Sequence, residues 1–127
     1  MTTLKKIQTD QAPRAIGCYS QGICWENLGF LSGQIGMDPQ TLELVGDDCA
    51  SQLQQIFKNM SALLSSLGAD FTRIVKLTVF MTDLKEYGLL NELMQQYFQP
   101  PYPARSVVQV VALPKKAVIE IEAIVAL

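Results

Sequence analysis

The chain has 127 residues, of which 49% are apolar and only 17% are charged, and its net charge is −2. It contains no histidine, which excludes Ser-His and Cys-His nucleophiles and histidine-based metal sites. Three cysteines without a CxxC pair indicate neither a disulfide framework nor a zinc knuckle, and the thinly spread basic residues form no face for nucleic acid.

The length is that of a single domain, which we expect to span residues 1–127. Charged residues make up about a quarter of an ordinary globular chain, so the low share here favours a surface partly buried against other copies. The opening MTTLKKIQTD has no apolar signal core, and no apolar run approaches the length that spans a membrane. These features predict a soluble, cytoplasmic protein without a membrane partner.

The first half of the chain predicts strands followed by a helix. Residues 22–37 form two short strands around a turn at Glu26-Asn27, with one more strand expected near the N-terminus. Gly33 in the second of these strands indicates a bulge or a close approach to the backbone. Residues 49–67 carry apolar side chains at helical spacing, and Gly68 suits the end of that helix.

The second half predicts a strand over residues 73–82 and a helix from Asp83 to about Phe98, where prolines end it. The tail predicts a hairpin whose strands, residues 105–112 and 117–125, flank the turn LPKK. Two amphipathic helices cover only one face of such a sheet. The other face therefore needs a partner, which a neighbouring copy would supply.

Three charged side chains interrupt the apolar tail, namely Arg105, Glu120 and Glu122. Because side chains alternate along a strand, a two-residue turn at Pro114-Lys115 would place all three on one face. Arg105 would then lie about 13 Å along the strand from the partner of Glu120, too far for one small ligand to reach both. A cleft between two chains could combine them, and the alternative is an Arg105–Glu122 ion pair at a sheet edge.

Four segments, in order, resemble one family. They are AIGCYSQG at residues 15–22, LSGQIGMDPQTLELV at 31–45, IVKLTVFMTDLKEYGLLNELMQQYF at 74–98, and the tail with PARS, LPK and IEIEAI. These segments are similar to motifs of the Rid family of reactive intermediate deaminases, also called YjgF and also labelled endoribonuclease L-PSP. The resemblance covers nearly the whole chain.

The resemblance implies an α+β fold like that of chorismate mutase from bacilli, in which a mixed sheet carries two helices packed on one face. It implies a homotrimer with ligand clefts between neighbouring subunits. The implied activity is hydrolysis of 2-aminoacrylate-type enamines and imines, released by pyridoxal-phosphate-dependent dehydratases, to 2-keto acids and ammonia. This chemistry needs neither a cofactor nor a metal.

The resemblance also implies roles for matching residues. Arg105 matches the arginine that binds the substrate carboxylate, and Glu120 matches the glutamate that positions or activates the attacking water. These two are the predicted catalytic residues. Further positions that line the cleft are matched by Tyr19, Ser32, Gly33 and Asn91.

Two positions depart from the family's pattern. Val107 stands at a substrate-binding position where many bacterial members have cysteine, so thiol chemistry is excluded there and the floor of the pocket is more apolar. Cys18 replaces the usual proline before Tyr19 and places a thiol beside the predicted cleft, although an inert cysteine is the default expectation. Both changes bear on substrate range rather than on fold.

Two other functions compete with the deaminase. A non-catalytic trimer that binds small carboxylates, as a sensor or a chaperone-like particle, would need Arg105 but not Glu120. A ribonuclease or translation inhibitor is disfavoured by the negative charge, the absence of histidine and the absence of an aromatic-basic patch.

Overall fold

The computed structural model describes residues 3–127, which form a six-stranded mixed sheet with two helices on one face. The strands are β1 (Lys5–Ile7), β2 (Gly22–Trp25), β3 (Leu28–Gln34), β4 (Ile74–Met81), β5 (Ala104–Gln109) and β6 (Ile119–Ala126), and the helices are α1 (Cys49–Ser66) and α2 (Tyr87–Tyr97). The predicted α+β class is confirmed.

Capping and burial define α1. The Asp48 carboxylate accepts a hydrogen bond from the Ser51 backbone N–H at 2.9 Å, and Gly68 follows the helix with a φ of 68° that an L-residue seldom adopts. The predicted apolar stripe is confirmed, since its main members are fully buried: Leu53, Ile56, Phe57, Met60, Leu63 and Leu64.

The second helix begins at Tyr87 rather than at the predicted Asp83. The Asp83 carboxylate instead caps a separate 3₁₀ turn, Leu84–Glu86, by accepting a hydrogen bond from the Lys85 backbone N–H at 2.9 Å. Helix α2 then packs beside α1, where the ring centroids of Phe57 and Tyr97 lie 4.6 Å apart. Tyr87 is therefore the first residue of α2, whereas the predicted helix had placed it in the second turn.

The strand order is β1-β2-β3-β6-β4-β5, so the predicted tail hairpin is wrong. Strand β6 pairs antiparallel with both β3 and β4, whereas β5 lies parallel to β4 at the edge of the sheet. The physical reason is burial. Ile119, Ile121 and Val125 of β6 are fully buried and gain most in the centre of the sheet, while β5 has no buried residue.

The helices cover one face of the sheet and leave the other open. Cross-strand partners share a face, and the pairs Ile23–Phe30 and Phe80–Val108 lie on the open one. Phe30 exposes 40% of its surface and Val108 exposes 44%, so apolar groups remain in contact with solvent. The predicted uncovered apolar face is confirmed. Within residues 3–127, no helix has the length and apolar character needed to cross a membrane.

Candidate active site

The predicted site residues other than Val107 lie in two separate clefts. Tyr19, Ser32, Gly33 and Glu120 line a cleft of about 480 Å³, called the Glu120 cleft below. Asn91 and Arg105 line another of about 490 Å³, called the Arg105 cleft. One chain thus contains both halves of the predicted set without bringing them together.

Pairing across β4 explains the separation. Arg105 is the partner of Leu77, which is buried under the helices, whereas Glu120 is the partner of Phe80 on the open face. Residues 77 and 80 point to opposite faces because side chains alternate along a strand. The predicted common face for Arg105, Glu120 and Glu122 is therefore wrong, and an Arg105–Glu122 ion pair within one chain is excluded, since Glu122 shares the face of Glu120.

Gly33 makes room for the Glu120 carboxylate. The register between β3 and β6 shifts between Leu31 and Gln34, so Gly33 lies in the irregularity that the sequence indicated. A Cβ on Gly33 would overlap the Glu120 carboxylate and lie 2.9 Å from its Cδ. A hydrogen at this position is what allows the carboxylate to lie against the backbone.

We expect Gly33→Ala to keep the fold and lower kcat by roughly 10- to 100-fold if Glu120 is catalytic as predicted, because the new methyl group must displace its carboxylate and small displacements of a catalytic group are costly. The matched control is Gly29→Ala on the same strand, whose new methyl group would meet its neighbours at an ordinary 3.6 Å. Steady-state kinetics and thermal unfolding of both variants measure this. Equal activity of the two variants would contradict the predicted catalytic role of Glu120.

The environment of Glu120 favours its protonated form. The side chain is half-buried, and burial raises the pKa of its carboxyl group above the ordinary value of 4.5. The negative charge of Glu122 raises this pKa further. A carboxyl group whose pKa moves toward neutrality can accept a proton in one step and return it in the next.

Hydrogen bonds to the backbone hold the remaining predicted residues of the Glu120 cleft. The Ser32 hydroxyl donates to the Ser20 carbonyl at 2.6 Å, so this donor is used within the scaffold. The Tyr19 hydroxyl accepts from the Ile16 backbone N–H at 3.2 Å, while 53% of the Tyr19 surface remains exposed. The Ser32 hydrogen bond thus holds one wall of the Glu120 cleft in place. Tyr19 lines the same cleft with a side chain that is still exposed to solvent.

The sequence did not identify several lining residues of the Glu120 cleft. Ile35, Met37 and Pro114 add an apolar wall, and Arg14 and Lys115 add cationic groups. Ile35 and Met37 belong to a small second core that includes Ala117, which no helical or strand period reveals.

Lys115 belongs to a turn with left-handed backbone. Lys115 and Lys116 have φ of 58° and 61°, in a region that L-residues seldom adopt. The Lys115 Nζ donates to the Leu42 carbonyl at 3.1 Å, which joins this turn to the loop after β3. The sequence predicted a turn at LPKK but not its place at the cleft.

Helix α2 orients the Arg105 guanidinium. Its Nη1 donates to Asn91 Oδ1 at 2.8 Å and to the Met94 sulfur at 3.3 Å, and its Nη2 donates to the Tyr87 hydroxyl at 2.7 Å. The Arg105 Cζ also lies 5.2 Å from the centroid of the Tyr87 ring, a cation–π contact. Tyr87 and Met94 were missed, although the spacing of 87, 91 and 94 places all three on one helix face.

Val107 and Cys18 lie outside the linings of both clefts. Val107 is half-buried and packs against the main core, and Cys18 is exposed in the loop before Tyr19. Within the part of the chain that the structure describes, no three histidine, cysteine or acidic side chains gather closely enough to hold a metal ion.

Comparison with known proteins gives a family match over most of the chain. Residues 9–127 match the model of the Endoribonuclease L-PSP family. The 2-iminobutanoate/2-iminopropanoate deaminase of Rattus norvegicus is 47% identical over 120 residues, which cover 94% of this chain and 88% of the rat protein. Reactive Intermediate Deaminase A, chloroplastic, of Arabidopsis thaliana is 45% identical and matches 95% of this chain and 65% of its own length.

Solved structures of similar sequence have the same fold. The crystal structure of RidA from an Antarctic Psychrobacter superimposes with a TM-score of 0.93 at 43% identity, covering 97% of this chain and 99% of that one. The structure of E. coli TdcF with bound serine superimposes with a TM-score of 0.91 at 42% identity, covering 97% and 98%.

Proposed function

The chain belongs to the Endoribonuclease L-PSP family, and we propose that it hydrolyses reactive 2-imino acids and their enamine tautomers to 2-keto acids and ammonia. Relatives of 42–47% identity over nearly the whole chain carry the name of this deaminase. The structural observation that carries the proposal is the half-buried Glu120 carboxylate, whose raised pKa suits proton transfer in a cleft open to a small ligand.

Glu120 is assigned the proton transfers. Its carboxylate accepts a proton from water as the water oxygen bonds to the imine carbon, and the electrons of the C=N double bond move to nitrogen. Glu120 then gives this proton to the nitrogen, which forms the carbinolamine and restores the carboxylate. The carboxylate next accepts the proton of the carbinolamine hydroxyl as the C=O bond forms, and it passes that proton to nitrogen as the C–N bond breaks and ammonia leaves. The imine is already electrophilic, so orientation and one acid–base group suffice.

Arg105 is assigned the substrate carboxylate. A guanidinium has five N–H donors, and helix α2 uses three of them, on Asn91, Met94 and Tyr87. The remaining two are the number that a bidentate carboxylate accepts. The contacts from α2 fix the plane of the guanidinium before a ligand arrives, which reduces the entropy lost on binding.

A complete site then requires a second copy of the chain. Arg105 and Glu120 act on one substrate only if the Arg105 cleft of one subunit meets the Glu120 cleft of its neighbour. The open apolar face supports a homotrimer assembled through that surface, since exposed Phe30 and Val108 would be buried there. Tyr19, Ser32, Gly33 and Asn91 are assigned to the walls of the combined site, and Val107 to the packing behind Arg105.

The family label names a ribonuclease, but the composition of the chain argues against that activity. The chain has no histidine and a net charge of −2, which suits neither phosphodiester cleavage nor RNA binding. Its three cysteines are unpaired, which suits a reducing compartment, and we place the protein in the cytoplasm.

Subunit complementation tests the proposal. The wild-type chain, added to a serine or threonine dehydratase, should speed the release of 2-keto acid. Arg105→Ala and Glu120→Gln chains should each be inactive alone. Co-expression should restore about a quarter of wild-type activity, because random mixing pairs an intact Arg105 with an intact neighbouring Glu120 in about one site of four.

Each alternative gives a different result. No faster release by the wild-type chain would reject the deaminase. If the wild type binds 2-ketobutyrate without turnover and Glu120→Gln binds it equally, the protein is a carboxylate-binding module. If mixed oligomers form but remain inactive, the two residues do not act across subunits.

A further inference from the structure

We infer that the Tyr87 hydroxyl is a further ligand of the substrate carboxylate, beside the Arg105 guanidinium. The inference rests on the proposed function, because it concerns the same substrate group. It assigns a direct binding role to the first residue of α2, which the sequence had marked only as part of a helix.

The direction of one hydrogen bond carries the inference. Arg105 Nη2 can only donate, so the Tyr87 oxygen is the acceptor in their 2.7 Å contact. The hydroxyl hydrogen of Tyr87 is not used in this contact and is free to point elsewhere. A phenol that accepts from a cation is also a stronger donor, because the hydrogen bonds of a chain polarise one another.

The position of the ring places this donor beside the Arg105 guanidinium. The Arg105 Cζ lies 5.2 Å from the Tyr87 ring centroid, so ring and guanidinium hold each other in place. Tyr87 exposes 42% of its surface, so its side chain is not enclosed by the protein. Asn91 and Met94 occupy the guanidinium on Nη1, away from Nη2. The two free Arg105 donors and the Tyr87 hydroxyl thus form one group of three donors.

Three donors fit within the acceptor capacity of a carboxylate, whose two oxygens offer about four lone-pair positions. A carboxylate held by Arg105 alone could still tilt about the line that joins its two oxygens. A third donor to the side removes that freedom and fixes the direction of the imine carbon. Tyr87 should therefore affect substrate affinity more than the chemical step.

The test is Tyr87→Phe in the full-length chain, which removes one hydroxyl and keeps the ring. The dissociation constant of 2-ketobutyrate, measured by calorimetry, and KM in the dehydratase-coupled assay should both rise about tenfold. The kcat and the thermal unfolding midpoint should stay within error of wild type. The control is Tyr97→Phe at the other end of α2, whose ring packs on Phe57 and which should change neither constant.

The outcomes separate the inference from the proposed function. If the wild type binds 2-ketobutyrate, Arg105→Ala does not, and Tyr87→Phe binds within twofold of wild type, the inference fails and the proposed site stands. An equal loss in Tyr97→Phe also overturns it, because the effect would then arise from the helix. If the wild type shows neither binding nor turnover, both the inference and the proposed function are wrong.

Discussion

Replacement of Arg105 by alanine is expected to weaken the binding of 2-ketobutyrate by roughly 30- to 1,000-fold and to lower kcat/KM by at least as much. The loss corresponds to about 2–4 kcal/mol, the usual contribution of a charge-assisted bidentate contact. Arg105→Lys keeps the charge but loses the planar fork, and it should recover only a small part of the affinity.

The fold should survive this change. Arg105 is half-buried on the edge strand β5, and its partners Asn91 and Tyr87 keep access to water, so neither becomes a buried, unsatisfied group. Circular dichroism and thermal unfolding of the alanine variant serve as the control. If a folded Arg105→Ala chain binds 2-ketobutyrate with wild-type affinity, Arg105 does not bind the substrate carboxylate and the proposed site is wrong.

Local elements could be predicted from the sequence because they depend on short-range periodicity. The stripe on α1 repeats every three or four residues and is bounded by Asp48 and Gly68, so its range was confirmed within one residue of the observed Cys49–Ser66. The start of α2 was wrong by four residues. Asp83 does cap a helical turn, but that turn is a 3₁₀ helix that ends at Glu86.

The order of the strands could not be predicted from the tail sequence. Apolar and polar residues alternate along β5 and β6 in the same way whether the two strands pair as a hairpin or are separated by another strand. The segment between β5 and β6 passes across the end of β4, where Val110 N–H donates to the Met81 carbonyl and Thr82 N–H to the Val118 carbonyl. The more apolar sequence of β6 was the signal that could have placed this strand in the centre of the sheet. Its alternate residues Ile119, Ile121, Ala123 and Val125 are all apolar, whereas β5 carries Arg105 as its second residue, and an edge strand tolerates charge better than a central one.

The candidate site illustrates the same limit. The sequence predicted that Arg105 and Glu120 require two chains, but from a separation along one common face. The structure gives a different physical reason, namely opposite faces of one sheet. Residues that position Arg105 were partly missed, because Tyr87 and Met94 carry no charge and their role depends on α2 packing beside the edge strand.

Glu120→Gln is expected to retain 2-ketobutyrate affinity and to lower kcat by roughly 10²- to 10⁴-fold, the usual contribution of an acid–base residue. In the wild type, kcat/KM should rise with pH through the raised pKa of Glu120, because the ionised carboxylate accepts the proton from water. The glutamine variant should lack this acid limb. A wild-type rate for Glu120→Gln would exclude the assigned chemistry.

Glu122→Gln is the matched control, since it changes the neighbouring carboxylate on the same strand and face. Because the charge of Glu122 raises the pKa of Glu120, its removal should lower that pKa. The acid limb of the kcat/KM profile should therefore move to lower pH, with the maximal rate retained. An unmoved limb would show that Glu120 is not the titrating group.

Stability should change in the opposite direction to activity. The folded-state pKa of Glu120 lies above its ordinary value of 4.5, so ionisation costs the fold stability as pH rises through the folded pKa. Glu120→Gln cannot ionise, and it should unfold at a higher temperature than wild type at neutral pH. The difference should shrink as the pH falls and vanish well below the ordinary value of 4.5, where the carboxyl group is protonated in both the folded and the unfolded chain. A stable but inactive glutamine variant would show that the half-buried carboxylate is kept for chemistry rather than for folding.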